Sequence, residues 1–402
     1  MFRVTSLCRQ LAVSMDVFLP LVSTDLASSS SSCGKVTARW NLCMQSRTNS
    51  YGARSAQQQP IVSDDEYAEV DWDNIGFGLM PTDYMYKTTS GMDGNFDVGH
   101  LHRFGAIELS PSAGVLNYGQ GLFEGTKAYR KDDGKLLLFR PEENGLRMLA
   151  GAERMCMPCP SVSQFVDAVK QTALANKRWV PPPGKGTLYI RPLLIGTGAV
   201  LGLAPSPETT FLVYASPVGN YFRAGLAPLN LLVEEDYHRA SPGGAGGVKA
   251  ITNYGPVLKA ISKAKSMGFS DVLYLDAVHK KFLEEVSSCN IFIVKGSEIH
   301  TPAINGTILA GITRKCVIEI AQDFGYKVEE RVISVEELLE ADEVFCTGTA
   351  VVVAEVGSVT YRGERIGFRT GDDCVREKLR RVLIGIQTGA ISDDRGWTME
   401  IQ

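Results

Sequence analysis

Two strand-like segments near the middle of the chain constrain the fold more than any other feature of the sequence. In residues 187–195 apolar and polar side chains alternate, so Tyr189 and Arg191 share one face of the predicted strand. Residues 210–215 are largely apolar, as in a buried strand. A further strand is predicted at 104–109. Together with the helical patterns between them, these strands predict a mixed α/β (α+β) fold.

Two helices are predicted ahead of the central strands. Residues 142–157 show helical spacing, with Leu146 and Leu149 on one face. The next helix is expected to begin near Ser161, and the hydroxyl of Ser161 or of Ser163 can cap its first turn. The proline run at 181–183 then excludes any continuation of the helix.

The order of these segments predicts two folded domains. Residues 219–229 are interpreted as an interdomain linker, because the stretch from Pro217 to Pro228 holds prolines and glycines. We expect a small N-terminal α/β domain at 61–218 and a large C-terminal domain at 230–402. A chain of 402 residues is long enough for both.

Residues 1–60 differ in composition from the rest of the chain. They contain a serine run at 28–32, and their basic side chains outnumber the acidic ones. This composition is typical of a transit peptide that directs a protein into an organelle, and such a segment does not fold. We expect import into the chloroplast, with the mitochondrion as the alternative. A disordered tail without a targeting role is the simpler interpretation.

The composition argues against several classes of function. The net charge of −4 gives no reason to expect nucleic acid or an anionic membrane as a partner. No apolar run approaches the roughly 20 residues that span a bilayer. The nine cysteines are scattered, as in a reducing compartment. Cys156 and Cys159 have no second cysteine pair and no nearby histidine, so we expect no metal site.

Lys249 is the candidate catalytic residue. It follows a glycine-rich run at 243–247 and precedes Tyr254 and a predicted helix start. A lysine removed from water loses part of its preference for the charged form and becomes nucleophilic. Taken alone, a glycine-flanked lysine is more often part of a solvated loop. A phosphate-binding P-loop is excluded, because Val248 separates the glycine from the lysine and Ala250 follows it.

Three other segments carry groups that are informative when they are considered together with this lysine. Residues 311–314 open a helix, and the free N–H groups at a helix start bind phosphate. Residues 347–350 offer hydroxyl groups and exposed amides. Glu285 follows Glu284 in a predicted hairpin, and strand alternation allows only one of the two to point inward. A nucleophilic lysine, a phosphate site and a carboxylate are the groups that pyridoxal phosphate requires.

The sequence resembles the branched-chain amino acid aminotransferases of the plant type, which are class IV aminotransferases of fold type IV. The resemblance runs from about Phe77 to Trp397, nearly all of the expected mature chain. Its blocks follow the family's order at residues 117–125, 188–192, 247–255, 285–292, 309–314 and 341–350. The resemblance implies two domains with the cofactor at their interface, the C-terminal domain being the cofactor-binding one, and a homodimer.

The resemblance also implies a role for each matching residue. Lys249 would hold pyridoxal 5′-phosphate covalently and transfer the proton in catalysis, with the glycines before it giving clearance for the ring. The other implied cofactor contacts are Arg147, Tyr254, Glu285, Ile312, Thr313 and Thr349. The implied substrate contacts are Phe77, Tyr118, Phe123, Tyr189, Arg191, Tyr221, Ala350 and Leu203. Leu203, together with Leu201, would reach the pocket of the partner subunit.

The implied activity is a ping-pong exchange of the amino group between L-leucine, L-isoleucine or L-valine and 2-oxoglutarate. The enzymatic alternatives within fold type IV are D-amino acid transamination and aminodeoxychorismate lysis. A protein that has kept the fold without turnover is the non-enzymatic alternative. Animal mitochondrial members carry a CxxC motif after the Gly-Thr-Ala turn. Val351 and Ala354 occupy those positions here, so no thiol switch is expected at this turn.

Overall fold

Two β-sheets form the framework of the fold in a computed structural model that describes residues 67–219 and 227–402. The predicted transit peptide and Tyr221 lie outside the described residues. In chain order, the strands are β1 (Tyr84–Gly91), β2 (His100–Arg103), β3 (Gly121–Phe123), β4 (Thr126–Arg130), β5 (Leu136–Phe139), β6 (Thr187–Gly196), β7 (Glu208–Val218), β8 (Leu229–Glu234), β9 (Asp271–Leu275), β10 (Leu283–Val286), β11 (Asn290–Lys295), β12 (Glu298–Pro302), β13 (Lys327–Arg331), β14 (Glu343–Gly348), β15 (Val352–Tyr361), β16 (Glu364–Gly367) and β17 (Thr398–Ile401). The helices are α1 (Gly114–Tyr118), α2 (Pro141–Arg154), α3 (Val162–Ala175), α4 (Leu258–Ser266), α5 (Ile312–Asp323), α6 (Val335–Leu339) and α7 (Val375–Thr388).

The first sheet has eight strands in the order β17-β5-β4-β6-β7-β1-β2, with β3 also paired to β6. All of its pairs are antiparallel. Helices α2 and α3 cover the buried face of this sheet, and Phe165 of α3 packs against Phe211 of β7. The C-terminal strand β17 closes the far edge.

The second sheet has nine strands in the order β10-β9-β8-β15-β14-β11-β12-β13, with β16 paired to β15. Three of its pairs are parallel, namely β8 with β9, β8 with β15, and β12 with β13. Helices α5 and α7 pack on one face around Phe292 and Phe345, whose rings stack at 4.9 Å. The predicted mixed α/β class is thereby confirmed.

The predicted alternation in β6 is also confirmed. Leu188 and Ile190 are fully buried in the core of the first sheet, and Tyr189 and Arg191 are half-buried on the opposite face. Strand β6 pairs with β7 along its whole length. The sheet thus holds Tyr189 and Arg191 side by side on a rigid surface.

The start of α3 is as predicted, because Ser161 and Gln164 form a capping box. The Ser161 hydroxyl accepts the Gln164 N–H at 3.2 Å, and the Gln164 side chain accepts the Ser161 N–H at 2.9 Å. The predicted strand at 104–109 is wrong, because β2 ends at Arg103. Arg103 pairs with Tyr84, the first residue of β1, so the residues after Arg103 run past the end of their partner strand.

Helix α2 buries a different face from the one its large side chains suggest. Leu146 and Leu149 are exposed. The buried side contains Gly145, which lies against Phe165 of α3, and Gly151, which lies against Leu122 of β3. Small residues let the helix approach its neighbours closely, so shape decided which face was buried.

Among residues 67–219 and 227–402, no helix combines the length and apolar character needed to cross a membrane.

Candidate active site

Lys249 lies where the second half of the chain meets the first sheet. Its carbonyl oxygen accepts the N–H of Phe123 on β3 at 3.1 Å, and the next residue, Ala250, bridges to Leu122. The Nζ atom is 3.3 Å from the Tyr254 hydroxyl and 4.5 Å from the centre of the Phe123 ring. Backbone pairing therefore fixes the main chain at Lys249. The amine at the end of its side chain faces aromatic rings and one hydroxyl.

The Phe123 ring joins four of the predicted site residues. The Tyr254 ring contacts it edge-on at 4.7 Å between centroids. On its other side, the Arg191 guanidinium lies 4.9 Å from the ring centre. With Lys249, these residues form an aromatic pocket that carries two cations.

The glycines before Lys249 make room for the chain's own backbone. A Cβ atom on Gly246 would lie 2.5 Å from the carbonyl oxygen of Thr307. One on Gly247 would lie 2.8 Å from the carbonyl oxygen of Gly306. The interpretation of these two glycines as clearance for a ring is therefore wrong. They let the lysine loop pack on the segment that leads into α5.

Glu285 is a buried carboxylate paired with an arginine. Its Oε1 atom lies 2.9 Å from Nη1 of Arg239, and the side chains are 2% and 1% exposed. The N–H of Leu309 donates to the same oxygen at 2.8 Å. Burial raises the pKa of Glu285, while the Arg239 charge opposes that shift.

Glu284 points to the opposite face of β10, where it accepts the Thr307 hydroxyl at 2.6 Å. The predicted alternation holds, yet both glutamates are buried because β10 is covered on both faces. Desolvation raises the pKa of Glu284 as well. Glu284 thus secures the segment ahead of α5, and Glu285 faces the site.

Arg239 is a site residue that the sequence analysis missed. Its guanidinium lies 5.9 Å from the centre of the Tyr254 ring, and its Nε donates weakly to the Ser287 carbonyl at 3.5 Å. Its position ahead of the glycine-rich run matches no motif. Only the fold brings it to Glu285, which lies on β10.

The start of α5 has the properties of an anion site. Its first residue follows Gly311, and no side chain in the described part of the chain caps the helix. A Cβ on Gly311 would lie 2.0 Å from Oδ1 of Asn290, whose amide donates to the Leu309 carbonyl at 2.9 Å. A small cavity beside this start is lined by Ile312, Thr313, Thr349, Asn144 and Lys127, among others.

Arg147 lies next to this helix start, clamped by a carboxylate that the sequence analysis did not identify. Its Nε and Nη2 donate to the two oxygens of Glu124 at 2.8 and 2.7 Å, and its Nη1 donates to the Ala310 carbonyl at 3.0 Å. Asn144 also donates to Glu124, at 2.7 Å. Burial opposes the charge of Arg147, but the Glu124 carboxylate prevails and raises the pKa of the guanidinium.

Tyr189 and Arg191 form the other side of the pocket. The Arg191 Nη2 lies 3.5 Å from the Tyr189 hydroxyl, and its buried Nε has no hydrogen-bond partner among the described residues. A Cβ on Gly125 would lie 2.0 Å from the Tyr189 hydroxyl, so any larger residue there would displace the tyrosine ring. The Phe77 ring contacts Tyr189 edge-on at 5.4 Å.

Three predicted substrate contacts lie apart from Lys249 or outside the described residues. Leu203 is 86% exposed and Leu201 is 91% exposed. The Tyr118 hydroxyl donates to the Leu201 carbonyl, so this tyrosine supports the exposed loop. Tyr221 falls outside the described part of the chain. Ala350 accepts a hydrogen bond from Lys127 through its carbonyl.

This fold and this set of residues define an aminotransferase of class IV. The family model for amino-transferase class IV matches residues 121–359, and the chain belongs to that family.

Within that family, the similar proteins are mainly branched-chain aminotransferases. The chain is 67% identical over 350 residues to the chloroplastic branched-chain-amino-acid aminotransferase 2 of Arabidopsis thaliana, covering 87% of this chain and 90% of that protein. It is 62% identical to the mitochondrial branched-chain amino acid aminotransferase 1 of Humulus lupulus, over 93% of this chain and 95% of that protein. It is also 53% identical to the methionine aminotransferase BCAT4 of Arabidopsis thaliana, over 87% of this chain and 99% of that protein.

Solved structures share the fold. The branched-chain amino acid aminotransferase of Escherichia coli has a TM-score of 0.69 and 28% identity, over 80% of this chain and 99% of that one. The branched-chain aminotransferase of the thermophilic archaeon Thermoproteus uzoniensis, solved with norvaline, has a TM-score of 0.67 and 26% identity, over 79% of this chain and 100% of that one. A branched-chain amino acid aminotransferase solved with pyridoxamine 5′-phosphate has a TM-score of 0.69 and 26% identity, over 80% of this chain and 100% of that one.

Proposed function

We propose that the chain is a pyridoxal-phosphate-dependent branched-chain amino acid aminotransferase. It would exchange the amino group between L-leucine, L-isoleucine or L-valine and 2-oxoglutarate, giving the branched 2-oxo acid and L-glutamate. The observation that carries this proposal is the placement of Lys249 beside Tyr254, with buried Glu285 and the uncapped start of α5 nearby in the fold. The names of the similar plant proteins support it.

The residues present fit pyridoxal phosphate. The Lys249 amine faces a hydroxyl and an aromatic ring, which suits a lysine that holds the cofactor covalently. Glu285 is a buried carboxylate that suits the ring nitrogen, and Tyr254 suits the ring hydroxyl. The residues that would hold the phosphate are Arg147, Ile312, Thr313 and Thr349.

When bound, pyridoxal phosphate supplies an electron-accepting ring that stabilises the negative charge left at the substrate Cα after deprotonation. Lys249 Nζ would take that proton and return it on the other side of the exchange. The Tyr254 hydroxyl at 3.3 Å would orient the amine. Glu285, held in place by Arg239, would keep the proton on the ring nitrogen.

The substrate pocket combines apolar walls with cationic and amide groups. Phe77 and Phe123 would contact a branched aliphatic side chain. Tyr189, Arg191 and the backbone of Ala350 would bind carboxylates. An apolar pocket separates substrates by only ~1–3 kcal/mol per methylene. We therefore expect leucine, isoleucine and valine all to be accepted.

We also propose a homodimer, in which Leu201 and Leu203 complete the partner's pocket. Exposure of 91% for Leu201 and 86% for Leu203 is unusual for leucines unless they meet another surface. We further propose that residues 61–218 and 230–402 act as two domains, with the cofactor between them. Strand β17 of the second range pairs with β5 in the first sheet. The composition of residues 1–60 supports import into the chloroplast.

A substrate panel tests the activity. We expect the full chain, loaded with cofactor, to transaminate L-leucine, L-isoleucine and L-valine with 2-oxoglutarate. L-methionine belongs in the panel because a methionine aminotransferase is among the similar proteins. D-alanine and aminodeoxychorismate represent the other fold-type IV activities. Turnover of D-alanine without turnover of L-leucine would contradict the proposal.

Replacement of the lysine tests the site. We expect Lys249→Ala to lose both turnover and the visible absorbance of the covalently held cofactor. Lys263→Ala is the matched control, because Lys263 is an exposed lysine on the next helix, α4. Unchanged turnover in Lys249→Ala would end the assignment of this residue.

A further inference from the structure

Lys127 is a buried lysine that none of the roles described above uses. It lies on β4, is 6% exposed, and donates through Nζ to the Ala350 carbonyl oxygen at 3.1 Å. Within the described residues, it forms no ion pair with a carboxylate. Burial lowers the pKa of Lys127 to about 8. An unpaired buried ammonium is costly, and its contact with Ala350 is the feature that can compensate for it.

Ala350 lies in the turn between β14 and β15, and this turn is strained. Val352, at its end, has a φ of 59°, which is rare for a β-branched residue. Such a conformation costs of order 1–3 kcal/mol and persists only where neighbouring groups hold it. The hydrogen bond from Lys127 to Ala350 is one such stabilising contact, because it connects the turn to the first sheet.

A cleft of about 690 Å³ behind the turn gives the Lys127 side chain access to water and protons. Two carboxylates that line this cleft are already paired, since Arg376 forms ion pairs with both Glu355 and Glu377. The other charged or titratable groups that line the cleft are Tyr129, Arg380, Lys185, Asp73 and Asp372. Tyr189 lies opposite Lys127 on β6. The positive charge of Lys127 therefore remains uncompensated beneath the turn.

We propose that Lys127 is a positioning residue for the Thr349–Ala350 turn, and that its ammonium sets how strongly this turn binds a substrate carboxylate. The inference rests on the proposed function, in which the Ala350 backbone meets the carboxylate. The protonated amine fixes the Ala350 carbonyl and adds a positive charge under the binding amides. Loss of the proton removes that charge and weakens the hold on the strained turn.

The sign of the pH dependence follows from the lowered pKa. Below pH 8 Lys127 carries its charge, and carboxylate binding is strong. As the pH rises through about 8, the amine becomes neutral and binding weakens. An arginine in its place would stay charged throughout this range. A methionine would be neutral throughout.

The probe is 4-methylvalerate, a branched carboxylate without an amino group, which can bind but cannot react. Its Kd is measured by calorimetry between pH 6.5 and 9.5 on the full chain loaded with cofactor. At pH 7 we expect binding to Lys127→Met to be about tenfold weaker, equivalent to about 1.4 kcal/mol. We expect the unaltered protein to lose about the same factor by pH 9.5, and Lys127→Arg to lose much less.

The other groups that titrate in the site are the same in the unaltered protein and in both Lys127 variants. Differences between their profiles of Kd against pH therefore report on Lys127. Lys185→Met is the matched control, because Lys185 lines the same cleft but pairs with Asp73 at its rim. In transamination assays, the loss should appear in KM for both amino and oxo acid, with a smaller change in kcat.

Two results would overturn the inference. Lys127→Met could retain the affinity and pH profile of the unaltered protein. Alternatively, it could weaken cofactor binding while leaving 4-methylvalerate binding unchanged, which would assign Lys127 to the phosphate side of the small cavity. If the unaltered protein bound no 4-methylvalerate and transaminated no branched amino acid, the proposed function would fail first, and the inference with it.

Discussion

Arg239→Met should destabilise the protein by leaving Glu285 buried without its counter-charge. The two side chains are 1% and 2% exposed, and their charged atoms are 2.9 Å apart. Removing one partner of such a buried pair typically costs about 3–5 kcal/mol. The substitution also removes the guanidinium from above the Tyr254 ring, which at 5.9 Å adds a smaller loss.

The cost should depend on pH in a defined direction. Burial already raises the pKa of Glu285, and Arg239 is the main group opposing that shift. Without the arginine, the pKa of Glu285 rises further, so the folded state binds a proton that the unfolded state releases. Stability then falls as pH rises from the unfolded pKa, about 4.3, through the raised folded value. The loss in free energy of unfolding caused by Arg239→Met should therefore be smaller at pH 5 than at pH 8.

Urea unfolding without cofactor, at one fixed protein concentration, measures this effect without linkage to cofactor binding. Glu285→Gln is the partner substitution, because glutamine can still accept the Leu309 N–H. The double variant should be more stable than the sum of the single losses predicts, by about 2 kcal/mol. Arg362→Met is the control, since Arg362 pairs with Glu235 at an exposed surface and should matter little.

Additivity of the two single losses within about 0.5 kcal/mol would refute the reasoning, because uncoupled residues behave in that way. A deficit that was equal at pH 5 and pH 8 would refute the assigned role of the Glu285 charge. The spectrum of bound cofactor gives a second readout. Protonated Glu285 would pair poorly with the ring nitrogen, so we expect the visible band of Arg239→Met to shift.

Two further predictions concern the substrate pocket and the predicted transit peptide. Gly125→Ala should raise KM at least tenfold, because the new Cβ would lie 2.0 Å from the Tyr189 hydroxyl and displace that ring. Gly367→Ala, whose new Cβ would meet nothing closer than 3.8 Å, should leave KM unchanged; equal effects of the two substitutions would contradict the steric argument. A fluorescent protein fused after residues 1–60 should enter chloroplasts, and a cytosolic signal would refute import.

Local sequence patterns were sufficient to predict much of the secondary-structure framework. Alternation in β6 and the side-chain cap at the start of α3 depend on neighbouring residues only, so the sequence predicted both. The helix start after Gly311 was predicted for the same reason. The buried face of α2 was not, because it depends on how closely Gly145 and Gly151 can approach other elements. Side-chain size in the sequence gives no measure of that approach.

The candidate site also contains some residues that the sequence predicted and others that only the folded structure revealed. Lys249, Glu285 and Tyr254 belong to recurring motifs, and the resemblance to the family identified them by position. Arg239 lies in none of the motifs, and Glu124 lies in the block at 117–125 but was given no role there, because the partners of both residues lie on distant segments of the chain. A buried charge is explained by what faces it in space, and spatial partners are set by sheet order and register.

The sequence by itself determined the fold class and several elements, because periodicity and capping are local properties. The candidate lysine was predicted from the resemblance to the family, whose motifs are also local in the sequence. Only the tertiary structure decided what the glycines before Lys249 accommodate, which arginine accompanies Glu285, and that Lys127 is buried under the Ala350 turn. These features depend on contacts between residues far apart in the chain. Their energies come from desolvation and close approach, which exist only once the chain has folded.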